Sequence, residues 1–292
     1  MTFKRCLVIG SSGQLGCASL KEFGQQYEIF PAVRSPGTGE LRIDLSDSKA
    51  TVRALEKVNP DCIIIAGAYC NVDLAESEQA LCFAVNVEGP LAVAEYARAR
   101  NATLVYYSTD SVFDGTKTEY TESDSVNPLN VYAQSKVEGE NAIRRSLPEQ
   151  HLIIRTAWLY GPDEKRRNFI YCLLDELRSG RKVRVPLDQW GCPTFTEDLA
   201  RATRVLLENG ARGTFHAVGS EYVNRVFIAR AVCKHFGLDE TQLVPTPTEG
   251  LGRTARRPLR VRLSCQRLLA YDGIRFQTLE EGLMCLQASM NL

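Results

Sequence analysis

The first half of the chain alternates between short apolar runs and longer runs whose apolar residues recur with helical spacing. An uninterrupted apolar run such as residues 61–68, DCIIIAGA, is typical of a strand buried on both faces of a parallel sheet. The alternation predicts a parallel sheet with helical, right-handed crossovers. The strands predicted here span residues 3–9, 27–33, 61–68, 103–110 and 151–156, with a further short strand ending at Asp44.

The second half of the chain is less regular and contains no repeats or low-complexity segments. Its pattern predicts mixed helices and strands, then a polar loop, an arginine-rich segment and a terminal helix. The predicted elements are a helix over 168–178, a strand over 182–186, a helix capped by Thr196, a strand over 213–219 and a helix from Tyr222 to about Phe236.

A glycine-rich turn, Gly10-Ser-Ser-Gly13-Gln-Leu-Gly16, separates the first predicted strand from a helix that runs to about Phe23. Gly10 and Gly13 allow a tight turn close to a pyrophosphate, and Gly16 lets the helix pack against the strand. The helix N-terminus offers free amides to phosphates. The spacing GxxGxxG is a variant of the usual fingerprint, and a glycine triplet alone also occurs in simple turns. The flanking strand and helix favour dinucleotide binding.

The end of the second strand carries Arg34, where a carboxylate would normally bind the ribose 2′-hydroxyl. Arginine suits a 2′-phosphate, so NADPH is favoured as cofactor, with NADH as the alternative. The competing interpretation is an exposed arginine without a ligand. Asp44 is expected to accept a hydrogen bond from the adenine amine. The predicted cofactor-binding residues are Gly10, Gly13, Gln14, Leu15, Gly16, Arg34, Asp44, Leu45, Ala66, Gly67, Ala68, Tyr132 and Lys136.

The stretch YYSTDSVFDG ends a strand in hydroxyl groups, and the helical run VYAQSK places Tyr132 and Lys136 four residues apart on one face. Proton transfer coupled to hydride transfer uses this set of groups. A neighbouring ammonium is expected to lower the pKa of the Tyr132 phenol. Tyr132 would then protonate a carbonyl oxygen that Thr109 holds by a hydrogen bond. Tyr-x-x-x-Lys alone is a weak motif, and the predicted dinucleotide site strengthens it.

Composition excludes several other classes of protein. Lysine plus arginine and aspartate plus glutamate both number 35, so no overall basic charge indicates a nucleic-acid partner. The 10 cysteines contain no CxxC pair, and the 3 histidines form no ligand set, so we expect reduced thiols and no metal site. The N-terminus is not typical of a signal peptide, and no apolar run is long enough to span a bilayer. A cytoplasmic protein is expected, and its oligomeric state stays open, a homodimer included.

Motifs along nearly the whole chain resemble the dTDP-4-dehydrorhamnose reductase family of extended short-chain dehydrogenase/reductases. Besides the glycine turn, they are AGAYCNVDLAESE, YYSTDSVFDG, PLNVYAQSK, RTAWLYG, DQWGCPT and RRPLRVRL. The resemblance implies NAD(P)H-dependent reduction of a 4-keto-6-deoxyhexose carried by a nucleoside diphosphate. It also implies a Rossmann-type α/β fold with a doubly wound parallel sheet. The expected domains are a cofactor domain over 1–155 and 193–219, and a smaller C-terminal α/β substrate domain over 156–192 and 220–292.

The resemblance also assigns roles to individual residues. It implies a catalytic trio of Thr109, Tyr132 and Lys136, with Lys136 also touching the nicotinamide ribose. It implies that Val72, Asp73 and Trp158 line the sugar pocket, although Trp158 is equally suited to a buried core.

An arginine cluster precedes the terminal helix. Because a nucleotide-sugar diphosphate is doubly anionic, Arg257 is the predicted substrate contact; the competing interpretation is a solvated loop. The cluster comprises Arg253, Arg256, Arg257, Arg260 and Arg262.

Three residues depart from the family pattern. Ser111 stands where members commonly carry tyrosine, and Cys70 and Cys192 replace other small residues. Ser111 leaves more space behind Thr109, which bears on which ketosugar fits. A second function is also compatible with the sequence, since the regulatory subunit of methionine adenosyltransferase is similar and keeps a dinucleotide site. An epimerase or dehydratase is a lesser alternative, because a dehydratase would need an acid and a base beside Thr109.

Overall fold

The computed structural model describes residues 4–290, and its largest element is a parallel sheet. The strands in chain order are β1 (Arg5–Ile9), β2 (Glu28–Val33), β3 (Leu41–Arg42), β4 (Cys62–Ile65), β5 (Thr103–Thr109), β6 (His151–Thr156), β7 (Leu159–Tyr160), β8 (Val183–Pro186), β9 (Trp190–Gly191), β10 (Thr194–Phe195), β11 (Gly213–His216), β12 (Val223–Asn224) and β13 (Leu243–Thr246). Seven of them pair in the order β11-β6-β5-β4-β1-β2-β3, and the rest form two-stranded sheets. The predicted Rossmann-type α/β class, with smaller C-terminal sheets, is confirmed. Phe3, where the first strand is predicted to begin, lies outside the described residues.

Helices cover both faces of the seven-stranded sheet. They are α1 (Gln14–Phe23), α2 (Ser48–Val58), α3 (Val72–Ala75), α4 (Gln79–Phe83), α5 (Gly89–Arg100), α6 (Val131–Ser146), α7 (Phe169–Arg178), α8 (Thr196–Glu208), α9 (Arg225–Phe236), α10 (Gln266–Leu269) and α11 (Leu279–Ser289), with a π-helical turn at Ala84–Glu88 and 3-10 turns at Asp110–Val112, Glu240–Gln242 and Thr248–Leu251. On β1, Val8 packs toward α1 and α8, whereas Leu7 packs toward α2, α5 and α6. Both faces are therefore buried, as a parallel sheet requires. Within residues 4–290, no helix is both long and apolar enough to cross a membrane.

Helix α6 lies very close to strand β5 and the π-helical turn. A β-carbon at Gly139 would come within 2.3 Å of the Asn86 carbonyl oxygen and 2.6 Å of the Tyr106 hydroxyl. The Tyr106 hydroxyl itself donates a hydrogen bond to the Asn86 carbonyl at 2.9 Å. Only glycine fits at position 139, and its absence of a side chain sets the distance between α6 and the end of β5.

The strand order reverses between β1 and β4, and two glycines meet where these strands end. Gly10 has φ +83°, and a β-carbon there would lie 2.4 Å from the Gly67 nitrogen. The Gly67 amide donates to the Ile9 carbonyl at 3.0 Å, which holds the two turns together. In open α/β sheets this reversal opens a crevice beyond the strand ends, where ligands bind.

The structure differs from two sequence-based expectations about helix starts. Thr196 does not cap α8: Phe195 occupies the cap position without a side-chain bond, and the Thr196 hydroxyl is buried without a partner. That hydroxyl faces Gly161, where a β-carbon would approach it to 2.2 Å, so tertiary packing determines its surroundings. Helix α9 begins at Arg225 instead of Tyr222, because the Asn224 side chain caps it by accepting from the Phe227 amide at 2.7 Å.

Candidate active site

A cleft of about 310 Å³ opens beyond the carboxyl ends of β5 and β6. Its floor includes Thr109 and Asp110, where β5 ends in a 3-10 turn. The Thr109 hydroxyl accepts from the Ser111 amide and donates to the Asp110 carboxylate, both at 3.1 Å. This arrangement fixes the Thr109 hydroxyl at the edge of the sheet. The cleft is lined by Cys70, Val72, Ser108, Thr109, Asp110, Ser111, Tyr132, Thr156, Ala157, Trp158, Leu159, Gln189, Trp190, Arg225, Arg253, Arg257, Pro258 and Val261.

Helix α6 brings Tyr132 into the cleft and Lys136 beneath it. The helix starts there because Asn130 accepts from the Ala133 amide at 2.8 Å and caps its first turn. The Lys136 ammonium donates to the Tyr107 carbonyl at 2.8 Å and lies 3.8 Å from the centre of the Tyr106 ring. Only 2% of Lys136 is exposed, so it does not line the cleft itself. Burial lowers the pKa of Lys136 to about 7, and the nearby Glu140 carboxylate opposes this shift.

The phenol of Tyr132 does not have the lowered pKa that the sequence predicts. Burial raises the pKa of Tyr132, and its hydrogen bond with Thr109 offsets only part of that rise. The lowering expected from Lys136 is not seen, because the Lys136 ammonium contacts the Tyr107 carbonyl and the Tyr106 ring instead of the phenol. Tyr132 is therefore a protonated phenol at neutral pH, which is the form that can donate a proton.

A buried ion pair behind Lys136 is a feature that sequence reasoning missed. Glu140 is fully buried and receives two hydrogen bonds from the Arg155 guanidinium, at 3.0 and 2.7 Å. Arg144 adds a third at 2.7 Å. These arginines lower the pKa of Glu140 against the opposing effect of burial. The signal that sequence offers is the spacing, since Glu140 follows Lys136 by one helical turn.

The glycine-rich turn fits a dinucleotide. The cap residue of α1, Gly13, has no side chain to occupy the first-turn amides, so these amides are free for phosphate oxygens. A β-carbon at Gly16 would lie 2.2 Å from the Gly10 carbonyl oxygen, so glycine lets α1 pack closely there. Gln14 links this turn to the wall of the cleft, because it donates to the Leu159 carbonyl at 3.5 Å and accepts from Asn168 at 3.1 Å.

Apart from Leu15 in α1, the remaining predicted cofactor residues follow the ends of β2, β3 and β4, and none of them lines the cleft. Arg34 is exposed directly after β2. The Asp44 carboxylate accepts from the amide and hydroxyl of Ser46, at 3.0 and 2.7 Å, so its own turn already uses it. Leu45 is buried against Gly89, whereas Leu15 is buried within α1. Ala66, Gly67 and Ala68 follow β4 and are half-buried or exposed.

The predicted sugar and diphosphate residues are only partly brought together. Val72, Trp158 and Arg257 line the cleft. Asp73 instead accepts from the Arg257 guanidinium and from the Ala255 amide, both at 2.9 Å. Arg257 therefore already has an anionic partner. The sequence could not reveal this pair, because Asp73 and Arg257 are 184 residues apart.

Trp158 and Arg225 form one wall of the cleft. Trp158 has φ +44°, and Gly191 makes room for its indole, because a β-carbon there would approach the ring to 2.7 Å. The Arg225 guanidinium lies 3.7 Å from the centre of the indole. Sequence reasoning missed Arg225 and Gln189. The signal for Arg225 is its position directly after the cap residue Asn224, where the helix dipole disfavours a cation.

Among residues 4–290, no three His, Cys, Asp or Glu side chains cluster as a metal site.

Comparison with known proteins places this cleft in a family. Residues 4–291 match the family described as the RmlD substrate binding domain. The chain belongs to the RmlD substrate binding domain family. That match covers nearly the whole sequence, so the glycine turn and the cleft lie in one homologous unit.

Curated members and solved structures of the RmlD family support this assignment. A dTDP-4-dehydrorhamnose reductase of Sinorhizobium fredii is 33% identical over 294 residues, covering 95% of both chains. The crystal structure of a dTDP-4-dehydrorhamnose reductase from Bacillus anthracis, in complex with NADP, has a TM-score of 0.90 at 27% identity and covers 99% of this chain and 100% of that one. The resemblance to dTDP-4-dehydrorhamnose reductases is therefore confirmed.

The RmlD-like relatives also include proteins named as subunits. The methionine adenosyltransferase 2 subunit beta of Danio rerio is 30% identical over 275 residues, covering 91% of this chain and 84% of that protein. Membership of the family therefore does not by itself distinguish a reductase from a subunit of another enzyme.

Asp110 makes the stability of the protein depend on pH. Burial raises the pKa of Asp110 from 3.8 to about 6. The folded state thus binds more protons than the unfolded chain between these pH values, and stability falls as pH rises through that window. We expect Asp110→Asn, which removes the buried charge, to increase the free energy of unfolding by on the order of 2 kcal/mol at pH 7.5.

Thermal or urea unfolding at pH 7.5 and pH 4 measures this difference, which should vanish at the lower pH. Asp272→Asn is the matched control, because Asp272 is exposed. An equal effect of Asp110→Asn at both pH values would contradict the assignment of a buried ionised carboxylate.

Proposed function

We propose that the protein is an NADPH-dependent reductase that acts on the C4 ketone of a nucleotide-linked 4-keto-6-deoxysugar. The observation that carries the proposal is the meeting of Thr109 and Tyr132 in one cleft, with Lys136 directly behind them. Family membership and the similarity to dTDP-4-dehydrorhamnose reductases support it. NADH is the alternative cofactor.

The proposed steps assign one role to each catalytic residue. NADPH would supply the hydride that reaches the carbonyl carbon. Tyr132, held protonated by burial, gives its proton to the carbonyl oxygen. The Thr109 hydroxyl, which donates to Asp110 here, would donate to the carbonyl oxygen instead and hold the substrate in position. Lys136 would contact the nicotinamide ribose, and its positive charge would favour the phenolate left after proton transfer.

The proposed binding sites divide along the chain. Residues 1–155 and 193–219 form the cofactor part, with the glycine turn, Arg34 and Asp44 as its contacts. Residues 156–192 and 220–292 form the substrate part. Val72, Asp73, Trp158 and Arg257 are proposed at the sugar nucleotide, and Asp73 acts together with Arg257 because the two are already ion-paired.

A second candidate function is a dinucleotide-binding regulatory subunit. The similarity to the methionine adenosyltransferase 2 subunit beta favours it. The complete set of Thr109, Tyr132 and Lys136 favours the reductase instead, because a binding subunit has no chemical use for a positioned acid.

Oxidation of NADPH at 340 nm tests the proposal directly. The substrate is dTDP-4-keto-6-deoxyglucose, with and without the 3,5-epimerase that converts it to the L-sugar. Turnover that requires the epimerase would identify a dehydrorhamnose reductase, and turnover without it would indicate another deoxysugar product. Tight NADPH binding with no turnover on either sugar would favour the regulatory subunit.

Tyr132→Phe removes only the phenolic hydroxyl. We expect it to lower kcat by about 100-fold or more, because the proton donor is lost, while NADPH affinity changes little. Stopped-flow absorbance and NADPH fluorescence titration measure the two quantities. Tyr171→Phe, in α7 outside the cleft, is the matched control. Turnover retained in Tyr132→Phe would mean that another group donates the proton.

Arg34→Ala tests the choice between the two cofactors. Loss of a guanidinium that binds the 2′-phosphate should raise the KM for NADPH by about tenfold and leave the KM for NADH nearly unchanged. Steady-state kinetics with both cofactors measures the effect, and Arg42→Ala, exposed on the neighbouring strand, is the control. Equal losses for NADPH and NADH would remove the 2′-phosphate assignment.

A further inference from the structure

Arg225 lies on an aromatic surface inside the cleft. Its guanidinium carbon is 3.7 Å from the centre of the Trp158 ring and 4.6 Å from that of Phe169. Arginine stacks on such rings through cation–π attraction, which fixes the plane of the guanidinium and leaves its N–H groups at the edge. The side chain is therefore held in place before any ligand binds.

This guanidinium is only partly balanced by acidic groups in the described part of the chain, since Asp110 attracts it without forming an ion pair. It makes no hydrogen bond or ion pair with any of residues 4–290. Burial and the nearby Arg253 together lower the pKa of Arg225 to about 9 against the opposing effect of Asp110, so Arg225 is still cationic at neutral pH. A half-buried charge without a hydrogen-bonded counter-ion is costly, and its position at the first turn of α9 adds an unfavourable helix dipole. The protein retains this cost at the wall of its ligand cleft.

The other two arginines of the cleft have different surroundings. Arg257 is neutralised by Asp73, at 2.9 Å. Arg253 is exposed and, like Arg225, makes no ion pair among the described residues. Among the described residues, the two arginines of the cleft without an ion pair are therefore Arg225 and Arg253, whose mutual repulsion also lowers the pKa of Arg225. Two positive charges match a doubly anionic diphosphate.

We infer that Arg225, together with Arg253, binds the diphosphate of the sugar-nucleotide substrate, and that Arg257 instead holds Asp73 in position. The inference deepens the proposed function and rests on it for the class of substrate. A planar guanidinium with free N–H groups offers a diphosphate two parallel charge-assisted hydrogen bonds. A carboxylate on the sugar would satisfy the same chemistry, so the test separates these two sources.

The test measures ligand binding without turnover. Both tryptophans of the sequence line the cleft, so their fluorescence reports binding. In the presence of NADP⁺, dTDP, UDP and thymidine are titrated into the wild type, Arg225→Met and Arg225→Lys, with isothermal calorimetry as a second readout. Arg230→Met is the matched control, because Arg230 lies on the same helix but pairs with Glu240 at 2.8 Å. NADP⁺ affinity verifies that each variant is folded.

Of dTDP and UDP, the test uses the one that the wild type binds more tightly. We expect Arg225→Met to lower the affinity for this diphosphate by at least tenfold and to leave the affinities for thymidine and NADP⁺ unchanged. Arg225→Lys should recover only part of the loss, because lysine keeps the charge without the planar fork. Arg230→Met should bind like the wild type. Equal diphosphate affinity in Arg225→Met and the wild type, or no diphosphate binding by the wild type, would overturn the inference.

Two further comparisons complete the test. A loss in Arg225→Met confined to UDP-glucuronic acid, with UDP-glucose unaffected, would assign Arg225 to a sugar carboxylate and overturn the diphosphate assignment. Diphosphate binding that depends on Arg225 in a protein without ketosugar turnover would support the inference and contradict the reductase. Ketosugar turnover by Arg225→Met with an unchanged KM for the sugar nucleotide would support the reductase and contradict the inference.

Discussion

The close packing of helix α6 against strand β5 determines the geometry of the site. Gly139 allows the helix to approach until the Tyr106 hydroxyl and the Asn86 carbonyl fill the space that a side chain would need. The same approach buries Lys136 against β5 and brings Tyr132 to Thr109. A helix held even 1 Å farther away would separate the phenol from the hydroxyl, and catalytic geometry tolerates little such displacement.

Burial leaves charges in and directly behind the cleft that are poorly balanced within the protein. It moves the pKa of Asp110 up to about 6 and those of Lys136 and Arg225 down to about 7 and about 9. Each shift reflects a charged form that loses water and gains too few partners. Clusters of such groups are typical of functional sites, because a bound ligand supplies the missing counter-charges. The Glu140–Arg155 pair behind the site, in contrast, is joined by two hydrogen bonds.

Local patterns predicted the sheet and the glycine turn well, because strand periodicity and glycine spacing are properties of neighbouring residues. The parallel strands, the class of fold and the convergence of Thr109 and Tyr132 follow from them. The sequence could not reveal that Asp73 engages Arg257 or that Arg155 engages Glu140, since these contacts form only in the folded chain. The sequence also could not reveal that the pKa of Tyr132 is raised, because the partners of Lys136 are known only in the folded chain.

The lack of an ion pair at Arg225 has a consequence for substitutions at this position. Arg155 and Arg257 each hold an acidic partner, so replacing either one removes a charge-assisted hydrogen bond from a carboxylate. Arg225 instead rests on the Trp158 and Phe169 rings, and replacing it removes no hydrogen bond from a carboxylate. A single substitution at this position can therefore alter the charge of the cleft without leaving a carboxylate unpaired. Selection can explore new substrates through this one wall of the cleft while the catalytic machinery stays intact.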